Sequence, residues 1–239
     1  MNGYGNVLEQ IKKWDKNITI RLNEIGGPYI TSALKIFSFL GRETIWLLLI
    51  TFYIFIWFDP FIFINIGATY LLGVLLIVPL KFSLKRNRPF TELSEITTSG
   101  RKPSSGSFPS WHAYNIVSQC IVISYLFPSI GLLIFFLFLI IIVCFSRVQL
   151  GVHYPSDVFI GVLMGIACSL FTIIIIDPFL LDFVSKIQNL NPELFQTILY
   201  TINPLLFQNL LYLLLCILLF AVILLLGFYK SLKKLGEQK

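Results

Sequence analysis

Histidine occurs only twice in this chain, and both copies sit beside helix-start signals. His112 follows Pro109-Ser110-Trp111, His153 precedes Pro155-Ser156, and Asp157 comes four residues after His153. A carboxylate at that spacing, held at a helix start, can accept one imidazole N–H and leave the other nitrogen free to attack. This is the orienting role of the acid in a catalytic triad, with histidine itself as nucleophile. His112 can then act as general acid toward a leaving oxygen. Three cations can join them: Lys81 and Arg88 at the end of one apolar run, and Arg147 at the end of another. A charge beside a bilayer is costly and marks a functional partner. Phosphate fits, because guanidinium forks match its oxygens and lysine supplies a point charge. Ser110 and Ser156 read as N-caps, and such helix starts also present backbone N–H groups to an anion. Capping accounts for the serines by themselves, but not for the histidines. No serine or cysteine nucleophile motif is present. Two histidines with one aspartate make a thin zinc site, so zinc-assisted hydrolysis stands as the poorer alternative.

The same residues fall into three motifs. Lys81-Phe-Ser-Leu-Lys-Arg-Asn-Arg88-Pro89 has the form K-x6-R-P, and Pro109-Ser110-Trp111-His112 approximates P-S-G-H. Ser146-Arg147-Val-Gln-Leu-Gly-Val-His153-Tyr-Pro-Ser-Asp157 fits S-R-x5-H-x3-D at every fixed position. In this order, over about residues 29–176, the chain resembles the type 2 phosphatidic acid phosphatase family, which includes membrane lipid phosphatases, glucose-6-phosphatase and vanadium haloperoxidases.

The resemblance implies that His153, oriented by Asp157, attacks phosphorus to form a phosphohistidine. His112 would protonate the leaving alcohol and later activate water. Lys81, Arg88, Ser110 and Arg147 would hold the phosphoryl oxygens, with no metal and no cofactor. Trp111 stands where the family often has a glycine whose backbone N–H meets the phosphate. Tryptophan keeps that N–H and adds bulk that narrows the pocket or stacks on substrate, so Trp111 joins the expected binding residues. The implied substrate is a phosphorylated membrane lipid. Lipid A leads, its 1-phosphate ahead of its 4′-phosphate, with undecaprenyl pyrophosphate and phosphatidylglycerol phosphate as rivals. A lipid phosphotransferase and a non-enzymatic lipid-binding or transport protein are the readings from other classes.

The elements that must position these groups are written in the composition. Of 239 residues, 56% are hydrophobic and 13% charged, against about 25% charged in an ordinary soluble domain. The apolar residues lie in long runs, which excludes soluble, fibrous and disordered chains. About 20 apolar residues cross a bilayer as helix, and the runs predict six spans near 43–58, 61–85, 110–127, 129–148, 156–176 and 204–228. Only helices and closed barrels span lipid, and strand alternation is lacking, so the expected fold is an all-α polytopic helical bundle. Asn115, Ser118 and Gln119 in the third span should face its interior.

Three segments are expected. Residues 1–28 form an amphipathic interfacial helix with Val7, Ile11, Trp14, Ile18 and Leu22 as its apolar stripe. Residues 29–176 form the phosphatase core, opening with a short helix over 29–41. Residues 177–239 bring a connector, an extra structural span and a basic tail. No secretory signal is read in the first residues.

Within the core, 97–107 is expected as a mobile loop over the site. Lys85, Arg86, Arg101 and Lys102 are expected to meet anionic headgroups, and Tyr114 and Tyr154 to anchor at the interface. Cys120, Cys144, Cys168 and Cys216 read as packing residues. With net charge +6 and basic residues between spans, the bilayer is the expected partner rather than nucleic acid, and no obligate protein partner is implied. The resemblance implies a bacterial inner (cytoplasmic) membrane protein with its site toward the periplasm. The positive-inside rule points the other way, since every one of the 18 basic residues but Lys186 falls on the active-site side of this span plan.

Overall fold

The structure, a computed structural model, describes residues 3–98, 102–190 and 202–237. Among these residues no strand forms, and β-type pairing is limited to an isolated bridge between Trp57 and Ile202. In order come α1 (Gly3–Leu22), α2 (Gly27–Ser38), a 3-10 turn (Phe39–Gly41), α3 (Glu43–Phe55), α4 (Pro60–Leu84) and the single turn α5 (Pro89–Glu92). Then follow α6 (Trp111–Leu126), α7 (Ile130–Gln149) and α8 (Pro155–Phe171). A π turn (Thr172–Ile176) leads into α9 (Asp177–Leu190), and α10 (Leu205–Gln208) and α11 (Leu210–Glu237) complete the series. Proline opens α4, α5 and α8, where a missing N–H costs nothing. Asp59 caps α4 by accepting the Ile62 N–H at 3.1 Å.

Four described stretches are long and apolar enough to cross a bilayer: Pro60–Glu92, Ile130–Gln149, Pro155–Ile187 and Leu210–Tyr229. The chain is therefore an all-α integral membrane protein. Of the other two expected spans, α3 has 13 residues and α6 has 16, short of the roughly 20 a full crossing takes. The expected fifth span also runs on past residue 176, because the π turn absorbs the change of register without ending the helix. Phe135, Phe138 and Ile141 on α7 and Leu211, Leu215 and Leu218 on α11 are exposed, as lipid-facing side chains are.

The chain forms two compact units, Met1–Arg42 with Leu71–Ser169 and Glu43–Tyr70 with Leu170–Lys239. In the first, α6 is the core helix, packed on α7, with α2 also on α7. Asn115, Ser118 and Gln119 are fully buried, as the cost of polar groups in lipid demands. Helix α8 meets α6 through Gly161 and Gly165. A Cβ at Gly161 would lie 2.6 Å from the Ser110 carbonyl oxygen, and one at Gly165 3.0 Å from that of Tyr114. Two glycines four apart thus bring the backbones together, the small-residue packing that lets membrane helices approach closely.

Tyr114 and Tyr154 are not interfacial anchors. Tyr114 is buried against Ile77 and Cys168, and the Tyr154 hydroxyl donates to Glu92 at 2.8 Å. Each ring is consumed by packing inside the unit, which leaves nothing for the headgroup layer.

The second unit holds α3 against α11, with Thr44 seated on Gly227. Two buried polar pairs lie inside it: Asn65 Nδ2 donates to Asp177 Oδ1 at 2.6 Å and Thr69 Oγ1 to Thr172 Oγ1 at 2.9 Å. The four cysteines are free thiols within helices.

Candidate active site

Every expected site residue belongs to the first unit. Helix α4 and the extended residues after it carry Lys81, Arg86 and Arg88 into one corner. There Lys81 Nζ donates to the Gly106 carbonyl at 2.9 Å. Arg88 donates through Nε to the Ser105 carbonyl at 2.8 Å, through Nη2 to the Gly106 carbonyl at 3.1 Å, and through Nη1 to the Val152 carbonyl at 2.7 Å. The Ser107 N–H donates to the Arg86 carbonyl at 2.8 Å. The end of the expected mobile loop is thus pinned at 105–107 by the motif cations themselves. Arg101 lies outside the described residues, and Lys102 packs over the Phe90 ring at 5.7 Å.

His153 reaches the same corner because α7 ends and the chain reverses at once. Gly151 takes φ +65°, and a Cβ there would sit 2.5 Å from Ile96, so the turn needs a residue without a side chain. The His153 N–H donates back to the Arg147 carbonyl at 3.1 Å. Its ring is buried, with Nε2 3.3 Å from Arg88 Nη1 and Nδ1 facing the opposite way, toward Ser107 Oγ at 3.5 Å and Asp157 Oδ2 at 3.7 Å. Burial, then the charges of Arg88, Arg147 and Lys81, pushes the His153 imidazole well below its ordinary 6.5. It is therefore a neutral base with one nitrogen turned to the cations.

The expected direct hydrogen bond from imidazole to Asp157 is not made at 3.7 Å. Ser107 stands between them, donating to Asp157 Oδ2 at 2.5 Å. The same oxygen accepts the Tyr154 N–H at 2.9 Å, and Oδ1 accepts from Arg86 Nη1 at 2.7 Å. Ser107 and Arg86 are functional candidates that motif reading overlooked. Ser107 precedes its motif by two residues, and Arg86, expected at headgroups, points inward.

The second histidine is reached through the N-terminal segment. His112 opens α6, and its Cβ would be 2.9 Å from a Cβ at Gly41, so the glycine leaves room for the ring. Arg147 Nη1 donates to Ser38 Oγ, three residues before Gly41, while its buried Nε has no partner and remains a donor for an incoming oxygen. The cations bearing on His112 are Arg147, Arg42 and Arg88. Ser110 caps α6 by accepting the Ala113 N–H at 3.4 Å, and its own N–H donates to the Asp157 carbonyl at 2.9 Å. The half-buried Trp111 ring stacks on Tyr114, centroids 5.7 Å apart, beside Ile77. Its bulk is spent on that packing.

Chemically, the corner offers a neutral imidazole nitrogen among cations, a second imidazole, and a buried carboxylate held by three donors. Such a set can bind a phosphoryl group and divide its chemistry between two histidines. Among the described residues no three His, Cys, Asp or Glu side chains converge as a metal-ligating group.

The comparisons with known proteins agree with this chemistry. An undecaprenyl-diphosphatase from Sulfolobus acidocaldarius is 29% identical over 125 residues, 52% of this chain and 60% of that protein. The match thus spans about three fifths of the relative's length. Two solved structures resemble the fold. LpxE of Aquifex aeolicus has a TM-score of 0.60 at 22% identity, over 66% of this chain and 93% of that one. A PAP2 type phosphatidylglycerolphosphate phosphatase of Bacillus subtilis has a TM-score of 0.56 at 24% identity, over 68% and 84%. The model of the PAP2 superfamily matches residues 62–179. Through those residues, which hold all three motifs, the chain belongs to the PAP2 superfamily.

Proposed function

We propose that this protein is a membrane lipid phosphatase working through a phosphohistidine. The observation that carries it is the two-sided environment of His153: Nε2 beside Arg88, Nδ1 beside Ser107 and Asp157. The Nε2 lone pair attacks phosphorus, the bond from phosphorus to the lipid oxygen breaks, and His112 gives its proton to that oxygen. His112 then takes a proton from water, whose oxygen displaces His153 and releases inorganic phosphate. Lys81, Arg88, Arg147 and the Ser110 helix start hold the phosphoryl oxygens as charge redistributes. Asp157, with Ser107, fixes the His153 tautomer. Trp111 contributes its backbone N–H at the helix start.

The substrate class is a membrane lipid with a terminal phosphate. Lipid A at its 1-phosphate suits a compact member of the family with an extra basic surface, and undecaprenyl pyrophosphate is supported equally by the name of the Sulfolobus relative. Phosphatidylglycerol phosphate completes the set. The site opens to the periplasmic side of a bacterial inner membrane, with residues 29–176 as the working core.

A phosphate-release panel on these three lipids, with chelator present, ranks the headgroups. Turnover that resists chelator and stops with vanadate supports the mechanism. His153→Gln should lower release by at least about 10³-fold on every lipid, and retained turnover removes His153 as nucleophile. A doubly phosphorylated lipid product with little free phosphate would reassign the chain as a phosphotransferase.

A further inference from the structure

Helix α1 is expected to lie at the interface on an apolar stripe. The first part of that stripe stays outward, with Val7, Ile11 and Trp14 exposed, while Ile18 is half-buried and Leu22 packs on the cluster of Ala113, Val148 and Val158. What it turns inward is a carboxylate. Asp15 has no exposed surface, although its chain neighbours are Trp14 and Lys16. A buried carboxylate costs several kcal/mol unless its lone pairs are satisfied, and those of Asp15 are. Oδ1 accepts the Ser156 N–H at 2.9 Å, and Oδ2 accepts from Ser156 Oγ at 2.5 Å and Arg86 Nη2 at 2.6 Å. The other arm of the same guanidinium donates to Asp157 Oδ1 at 2.7 Å and to Ser156 Oγ at 2.8 Å, and the group lies over the Tyr154 ring at 4.3 Å.

Resting on the phosphatase reading, we propose that Asp15 is a positioning residue of the reaction, acting through Arg86 on Asp157 and so on the His153 ring. Two physical effects combine. First, Arg86 forks between two carboxylates, so neither arm can swing to a lipid phosphate, and Asp157 Oδ1 stays fixed while Oδ2 serves Ser107 and the Tyr154 N–H. Second, Arg86 by itself would cancel the charge of Asp157. With Asp15 added, the trio carries a net single negative charge, which keeps the proton on Nδ1 and the lone pair on Nε2. Capping of α8 by Asp15 does not by itself call for the arginine.

The C-terminal part of the helix is fastened for this task. Lys16 pairs with Glu92 at 2.8 Å, and Asn23 bonds the Thr97 backbone through both its amide atoms. Residue 15 lies well upstream of the matched residues 62–179.

The test uses the full chain in dodecylmaltoside micelles, with dioctanoyl phosphatidic acid and farnesyl pyrophosphate as probes. Asp15→Asn keeps the shape and removes the charge. It should lower kcat about 10- to 100-fold with KM within about twofold, and the double variant with Arg86→Met should be no worse than Arg86→Met within about threefold. An unchanged kcat, or losses that multiply, overturns the proposal. A second readout needs no turnover. In ¹⁵N-histidine spectra, assigned with His112→Gln, the wild-type His153 ring should hold a single Nδ1–H tautomer and Asp15→Asn a mixture; identical spectra overturn it. If Asp15→Asn does not fold, Arg86→Lys, which keeps the charge but cannot fork, carries the test: an equal fall in kcat supports the role and wild-type kcat refutes it. A wild-type protein that releases no phosphate from either probe or from the three lipids named above sinks the phosphatase reading, and the ring spectra then decide Asp15 independently.

Discussion

At the scale of single residues, the site is a problem in keeping one imidazole neutral and aimed. His153 is surrounded by cations, and burial adds to them, so its pKa is depressed. The sign follows directly: a depressed histidine stays neutral at pH 7 and protonates only in acid. The acid limb of kcat/KM, which reports the free enzyme, should therefore fall below pH 6.5 and keep its position when the lipid probe is changed. A limb at or above 6.5 that tracks no substrate ionisation would place His153 in ordinary surroundings. Motif reading supplied the identity of this residue but not its contacts. The i, i+4 spacing of His153 and Asp157 promised a direct hydrogen bond, and Ser107 takes that place at 2.5 Å from Asp157. Ser107 is 46 positions away from His153, and no local periodicity reports a contact of that separation.

At the scale of elements, the site depends on how closely α8 approaches α6. Ser110 and His112 open α6, Asp157 lies in the first turn of α8, and Gly161 is the point where a side chain would strike the Ser110 carbonyl. Gly161→Val should cost about 1–3 kcal/mol by overpacking and reduce phosphate release further than the fall in stability explains, because the α6 start must shift. Gly67→Ala, where nothing lies within 4 Å, should leave thermal unfolding in detergent and phosphate release near wild type. Equal behaviour of the two variants would show that the close approach is not what holds the site. The glycines are visible in the sequence, but which helix they face is not.

At the scale of the whole molecule, one question is orientation. The chain is an integral membrane protein with four described stretches able to cross by length and composition. In the six-span plan the basic residues fall on the site's side of the membrane, which the positive-inside rule assigns to the cytoplasm; the proposed function assigns it to the periplasm. In the six-span plan the C-terminus shares the site's side, so alkaline phosphatase fused after Lys239 should be active and a cytoplasm-dependent reporter silent. The reverse pattern would invert the proposal. Part of the basic excess has a structural use, since Arg86 is bound to carboxylates and Lys16 to Glu92, and those charges need not act on lipid.

The amino-acid sequence alone determined the solvent and the parts. Apolar runs of span length require lipid, lipid requires helices, and the motif spacings bring each histidine to a helix start, because all of these follow from residues near one another along the chain. Tertiary structure decided which atoms meet. Asp15 and Asp157 share one arginine, Tyr114 and Tyr154 are drawn inside, and the segment at Ser105–Ser107 is pinned. Such outcomes depend on how packed helices exclude water and leave each buried charge with the partners in reach, and those partners come from distant stretches of chain that no spacing rule connects.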